Sequence, residues 1–172
     1  DVTSLSAHER SKRGISIVPQ NRRIIPNLTV EENLLVARSG SESESTNIED
    51  IYDLFPRIKE RATQPGHSLS GGEKQMLAIG RAITQYTDLL LLDETFEGLA
   101  PQIIETIYER LKDISSRDIS VIIVGQQIDK TLQLSDRAII LQEGDLVHES
   151  TAKEIIEDEE IIERYLALGS VS

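Results

Sequence analysis

The sequence contains no cysteine and no tryptophan, and aromatic residues make up 3% of its 172 positions. Without cysteine, disulfides and thiolate metal sites are excluded. So few rings leave no stacking platform for nucleic-acid bases. Histidine is also scarce: His8, His67 and His148 are far apart in sequence, unlike the closely spaced ligands of a zinc site. Positive charge is in short supply, with 18 Lys and Arg against 30 Asp and Glu and a net charge of -12. That balance opposes nonspecific binding to nucleic acid and electrostatic docking on anionic lipid. No apolar run approaches the ~20 residues needed to span a bilayer; the longest aliphatic stretch is Leu89 to Leu92. The first residues lack the basic-then-apolar order of a secretory leader.

What is present is a chain of single-domain size, 28% charged and 38% hydrophobic, a soluble globular composition. Capping boxes punctuate it. Ser6 with Glu9, Thr29 with Glu32, Ser70 with Glu73 and Thr151 with Glu154 each place an acidic residue three positions after a hydroxyl, which predicts four helix starts. Gly14 stops the first helix. Ile15 to Val18 reads as a strand closed by Pro19. Ser39 to Thr46 reads as a polar surface loop. Ile48 to Phe55 has helical apolar spacing. Leu89 to Leu92 and Ile119 to Val124 read as strands buried on both faces, with Ala138 to Leu141 as a third. Pro101 suits the first turn of a helix whose stripe is Ile103, Ile104, Ile107, Tyr108, Leu111 and Ile114. Strands alternating with helices imply a parallel sheet with right-handed crossovers.

Two segments carry chemistry. In Leu69-Ser70-Gly71-Gly72-Glu73, two glycines sit in a first helical turn, at a cost of roughly 1 kcal/mol each against alanine. Such a pair predicts close approach of something to the backbone. A phosphate suits the free N–H groups and positive end of a helix N-terminus. In Leu89-Leu90-Leu91-Leu92-Asp93-Glu94, an aliphatic strand ends in two carboxylates, where open α/β sheets bind ligands. One carboxylate can hold Mg²⁺ and the other can orient an attacking water.

Together these segments resemble the ATP-binding-cassette (ABC) ATPases, with their LSGGE signature followed by a Walker B strand and glutamate. Val18-Pro19-Gln20 resembles their Q-loop, and Glu97-Gly98-Leu99-Ala100-Pro101 the D-loop of one branch. NLTVEENLL and SLSGGEKQMLAIGRA are similar to phrases of the ATP-binding subunits of branched-chain amino acid importers. The resemblance covers essentially the whole chain. It implies that Asp93 and Gln20 hold the Mg²⁺ of Mg-ATP and that Glu94 polarises the hydrolytic water. Ser70, Gly71, Gly72 and Glu73 would engage ATP held by a second ATP-binding subunit. Gln126 stands at the position of a switch histidine. Transmembrane permease subunits are the implied partners, on the cytoplasmic face of the cell membrane.

The implied fold is α/β, a partial P-loop NTPase sheet with an inserted helical subdomain. Residues 1–29 and 87–172 would form the partial core, and 30–86 a helical subdomain ending in the signature. Thr95 and Gly125 depart from the family pattern. A larger departure is that no G-x-x-x-x-G-K-[ST] phosphate loop occurs among the 172 residues. That loop cradles the phosphates, so the reading predicts a fragment inactive alone, with an unpaired edge on Leu89 to Leu92 and marginal stability or self-association. A non-catalytic regulatory or interaction module is the competing reading. An ABC-type head of a DNA-repair or chromosome protein is disfavoured by the acidity and the absence of heptads.

Overall fold

Gly14 begins the sheet. Its φ of +76° is a left-handed conformation natural to glycine, and an added Cβ would lie 2.8 Å from the Asp88 carboxylate. In that position its carbonyl accepts the N–H groups of Asp88 (2.8 Å) and Leu89 (2.9 Å), which sets two strands side by side from their first residues. The computed structural model describes residues 1–39, 46–125 and 128–166. The polar loop expected at 39–46 lies almost wholly outside them.

The elements run α1 (Ala7–Lys12), β1 (Ile15–Val18), α2 (Val30–Ser39), α3 (Ile48–Leu54), α4 (Pro56–Lys59), α5 (Gly71–Thr84), β2 (Leu89–Asp93), α6 (Pro101–Ser115), β3 (Ser120–Val124), α7 (Ile128–Leu134), β4 (Arg137–Gln142), β5 (Asp145–Thr151), α8 (Ala152–Glu157) and α9 (Glu159–Ile161). The boxes at Ser6, Ser70 and Thr151 form with both reciprocal bonds and open α1, α5 and α8. At the start of α2, the Thr29 N–H donates to Glu32 and the Glu32 N–H to the Thr29 hydroxyl. Among the described residues no helix is long and apolar enough to cross a membrane.

Two compact units divide the chain, Asp1–Val124 and Gly125–Ser172. The first holds a parallel sheet in the order β1-β2-β3, with Ile17 opposite Leu91 and Leu91 opposite Ile122. β2 is therefore central and paired on both sides. The expected bare edge on Leu89 to Leu92 is wrong: the outer edges of this sheet belong to its neighbours β1 and β3.

One sheet face is the core. Val18, Leu90 and Leu92 are buried, with α5 packed on β1 and α6 on β3. The α6 stripe contributes Ile104, Ile107, Tyr108, Leu111 and Ile114, all buried. The other face is open, with Ile17 57%, Ile122 49% and Val124 55% exposed. β3 is thus not buried on both faces as its apolar run predicts. Continuous hydrophobicity reports that both faces can be covered, not that this stretch of chain covers them.

A buried polar residue organises the turn before α2. Asn33 is fully buried, takes the Ile25 N–H on its carbonyl (2.8 Å), and donates its amide to the carbonyls of Ile25, Leu28 and Thr29. One side chain thereby cross-links the turn from Ile25 to Thr29 to the first turn of α2.

In the second unit β4 and β5 form an antiparallel hairpin, a sheet separate from the first. Ala138 to Leu141 is therefore not a third strand of the parallel sheet. The Glu143-Gly144 turn, with both residues at positive φ, returns the chain directly and makes β5 the antiparallel partner of β4. Leu132, Ala152 and Ile155 form this unit's core, with Ile128, Ala138, Ile140 and Ile161 packed against it.

Candidate nucleotide site

At the carboxyl ends of β1 and β2 the chain gathers the groups that the sequence singles out. Asp93 ends β2 with its side chain exposed. Glu94 follows in a left-handed conformation, φ +46°, and its N–H donates to the Val124 carbonyl at 2.9 Å. Non-glycine residues there carry strain on the order of 1 kcal/mol. The bond to β3 holds the turn in place and sends Glu94 off the strand line.

Gln20, just past β1, reaches across to this turn. Its Nε2 donates to Glu94 Oε2 at 3.2 Å and to Glu97 Oε2 at 2.9 Å. Gln20 and Glu94, distant in sequence, are thus in direct contact, and Glu97 joins them. Phe96 anchors the same turn, 5% exposed and 4.8 Å from the Tyr108 ring by centroids. Thr95, where the family pattern has proline, is also buried.

The Gln20 loop continues into Arg22 and Arg23, both left-handed at φ 59° and 43°. Side chains of α5 hold this strained pair. Arg22 Nε donates to Gln75 Oε1 at 2.8 Å, and Arg81 Nη1 to the Arg23 carbonyl at 2.5 Å. Burial lowers the Arg81 pKa, though the guanidinium stays charged at any working pH. One short loop therefore ties the carboxylate turn to the helix that carries the signature.

Ser70 caps that helix and is exposed, as is Gly71; Gly72 is buried. What approaches Gly72 is the chain itself. A Cβ there would lie 2.6 Å from Ile103 Cγ2 of α6, whereas one on Gly71 would have Leu99 at 3.5 Å and the Arg22 guanidinium at 3.9 Å. Of the two glycines, the second serves helix packing and the first leaves its backbone exposed.

Glu73 is engaged within its own chain. Its Oε2 accepts the Ser70 N–H at 2.8 Å, and its Oε1 accepts Arg57 Nε and Arg61 Nε, both at 3.1 Å. Burial pushes its pKa up, but backbone and hydroxyl bonds from Ser70 and the Arg61 guanidinium outweigh that and hold it below the usual carboxylate value. Gln126 lies outside the described residues.

The donor set suits one kind of metal. Asp93, Glu94 and Gln20 offer hard oxygens, and no cluster of three or more His, Cys, Asp or Glu able to hold a metal occurs among the described residues. That is too sparse for an all-protein cage and fits Mg²⁺, which keeps waters and takes substrate phosphates beside one or two carboxylates.

The family profile described as ABC transporter matches residues 1–97. The chain belongs to the ABC transporter ATP-binding family. It is 36% identical over 168 residues to the high-affinity branched-chain amino acid transport ATP-binding protein BraG of Pseudomonas aeruginosa, covering 96% of this chain and 72% of BraG. The probable branched-chain amino acid transport ATP-binding protein LivF of Archaeoglobus fulgidus is 36% identical over 162 residues, covering 92% of this chain and 69% of LivF. Among solved structures, the ADP conformation of MJ1267, an ATP-binding cassette of an ABC transporter, superposes with TM-score 0.79 at 20% identity, over 99% of this chain and 74% of MJ1267. The dimeric ADP- and Pi-bound cassette MJ0796 gives 0.72 at 25% identity, over 87% of this chain and 68% of its own. The chain thus has the α/β fold of an ABC cassette. Within that frame Arg22 and Gln75 are site neighbours that the sequence did not single out, and Glu97, noted only as part of the D-loop-like segment, is a third. The Arg22-Arg23 doublet, one residue beyond Gln20, was the one available signal.

Proposed function

We propose that the chain is the nucleotide-engaging subunit of an ABC importer for branched-chain amino acids or related polar solutes. The identity with BraG and LivF over most of the chain supports the branch. The contact of Gln20 with Glu94 beside Asp93 is the observation that carries the chemistry.

Asp93 and the Gln20 carbonyl oxygen would hold Mg²⁺, which when bound neutralises charge on the ATP phosphates. Glu94 orients the attacking water and takes its proton. Ser70, Gly71 and Gly72 offer a hydroxyl and free N–H groups to the γ-phosphate of ATP on a second, head-to-tail subunit, with Glu73 maintaining the cap. Gln126, at the position of a switch histidine, would offer a neutral amide to a γ-phosphate. Residues 30–86 form the helical subdomain that docks on the transmembrane permease, at the cytoplasmic face of the membrane, while 1–29 and 87–172 belong to the partial core.

These 172 residues contain no phosphate-loop motif, so by themselves they do not turn over ATP. The test is a chimera that adds a strand, a G-x-x-x-x-G-K-[ST] loop and its helix from BraG. Mg-ATP turnover that Glu94→Gln lowers at least about 100-fold is expected, in the range for loss of a catalytic base. No turnover in a folded chimera that binds ATP would favour the non-catalytic interaction module instead.

A further inference from the structure

Glu97 opens the segment that resembles a D-loop and has no role assigned above, yet it makes the shorter of the two bonds to Gln20, 2.9 Å against 3.2 Å for Glu94. A primary amide has two N–H groups on nitrogen and lone pairs on oxygen, and an ionised carboxylate only accepts. Here both Nε2 hydrogens are taken by carboxylates. Turning the amide over would set Oε1 against two anionic oxygens and break both bonds. Only the oxygen of an amide serves as a ligand for a hard cation, so the end facing the carboxylates decides whether Gln20 can serve at all.

We propose that Glu97 is a positioning residue: it pins the Gln20 amide by its nitrogen and so keeps Oε1 as the end offered to a divalent cation. The turn is built for this. Phe96, packed on Tyr108, fixes the turn on one side, and Gly98 at φ +70° with open space around it bends the chain just after Glu97. Glu97 thereby reaches the Gln20 amide from the same turn that carries Glu94. The inference rests on Gln20 being a cation ligand, as stated under Proposed function.

The test uses the 172-residue chain with Mn²⁺ as a spin probe, titrated with and without ATP and read by electron paramagnetic resonance. A parallel NMR spectrum follows the Gln20 side-chain amide. Glu97→Ala is expected to weaken Mn²⁺ binding about fivefold, the scale of one lost hydrogen bond to a charged group, and to shift the Nε2 proton that bonds Glu97 toward its position in a solvated amide. Glu97→Gln, whose carbonyl oxygen still accepts from Nε2, should restore both. Gln20→Ala combined with Glu97→Ala should bind no more weakly than Gln20→Ala alone. Glu97→Gln as weak as Glu97→Ala, additive losses in the double variant, or an unchanged Gln20 amide in Glu97→Ala would each overturn the proposal. Unchanged Mn²⁺ affinity in Gln20→Ala would instead remove Gln20 as a ligand, a failure of the underlying reading that takes this inference with it.

Discussion

Glu73 shows how one carboxylate can be spent on architecture inside a signature motif. Its lowered pKa makes stability depend on pH with a defined sign. The charged form is favoured in the folded chain, so the contribution is full above the ordinary carboxylate value of 4.5 and disappears as pH falls through the lower folded value. Denaturation followed from about pH 6 to 3 should therefore show stability falling, and Glu73→Gln should flatten part of that slope while lowering stability at neutral pH. An unchanged slope would detach Glu73 from the cap. The cap itself was legible, because Ser70 and Glu73 sit at the spacing a capping box needs. The two arginines were not, since Arg57 and Arg61 come from the α4 region and no periodicity links them to α5. Asn33 was hidden for a similar reason. An asparagine inside a helical phrase gives no hint that it gathers one N–H and three carbonyls from the preceding turn.

Elements were easier to read than their partners. Caps, the α6 stripe and the aliphatic runs located the helices and strands, because each signal is local. Pairing is not local, so β4 and β5 as an antiparallel hairpin and β2 as the middle strand emerged only from the structure. The α5–α6 contact likewise decides what the glycine pair is for. Gly72→Ala should lower stability by about 1–3 kcal/mol through overpacking against Ile103, measurable by urea denaturation. Combining it with Ile103→Val should recover part of that loss, because the clashing Cγ2 and its neighbours gain room to shift. Gly71→Ala should leave stability nearly unchanged, its nearest neighbour being 3.5 Å away. Equal losses at both glycines would contradict this division.

On the scale of the whole molecule, the open sheet face is the dominant feature. Ile17 on β1 and Ile122 and Val124 on β3 expose apolar surface on the two edge strands of the sheet, a combination that favours association. Self-association of the chain should be visible by sedimentation at micromolar concentration. The pair Ile17→Ser with Ile122→Ser should reduce it without lowering the melting temperature by more than a few degrees, since little packing is lost; unchanged association would place the contact elsewhere. The pairing of β1 with β2 has a further consequence, in time rather than space. Val18 lies opposite Leu92, with α2 to α5 between them in sequence. At synthesis rates of roughly 5–20 residues per second, the ribosome releases β1 about 4–15 s before its partner strand exists. Helices form within microseconds. The α2–α5 stretch therefore has ample time to coil and collapse as a nascent body before the sheet's first ladder can close around it.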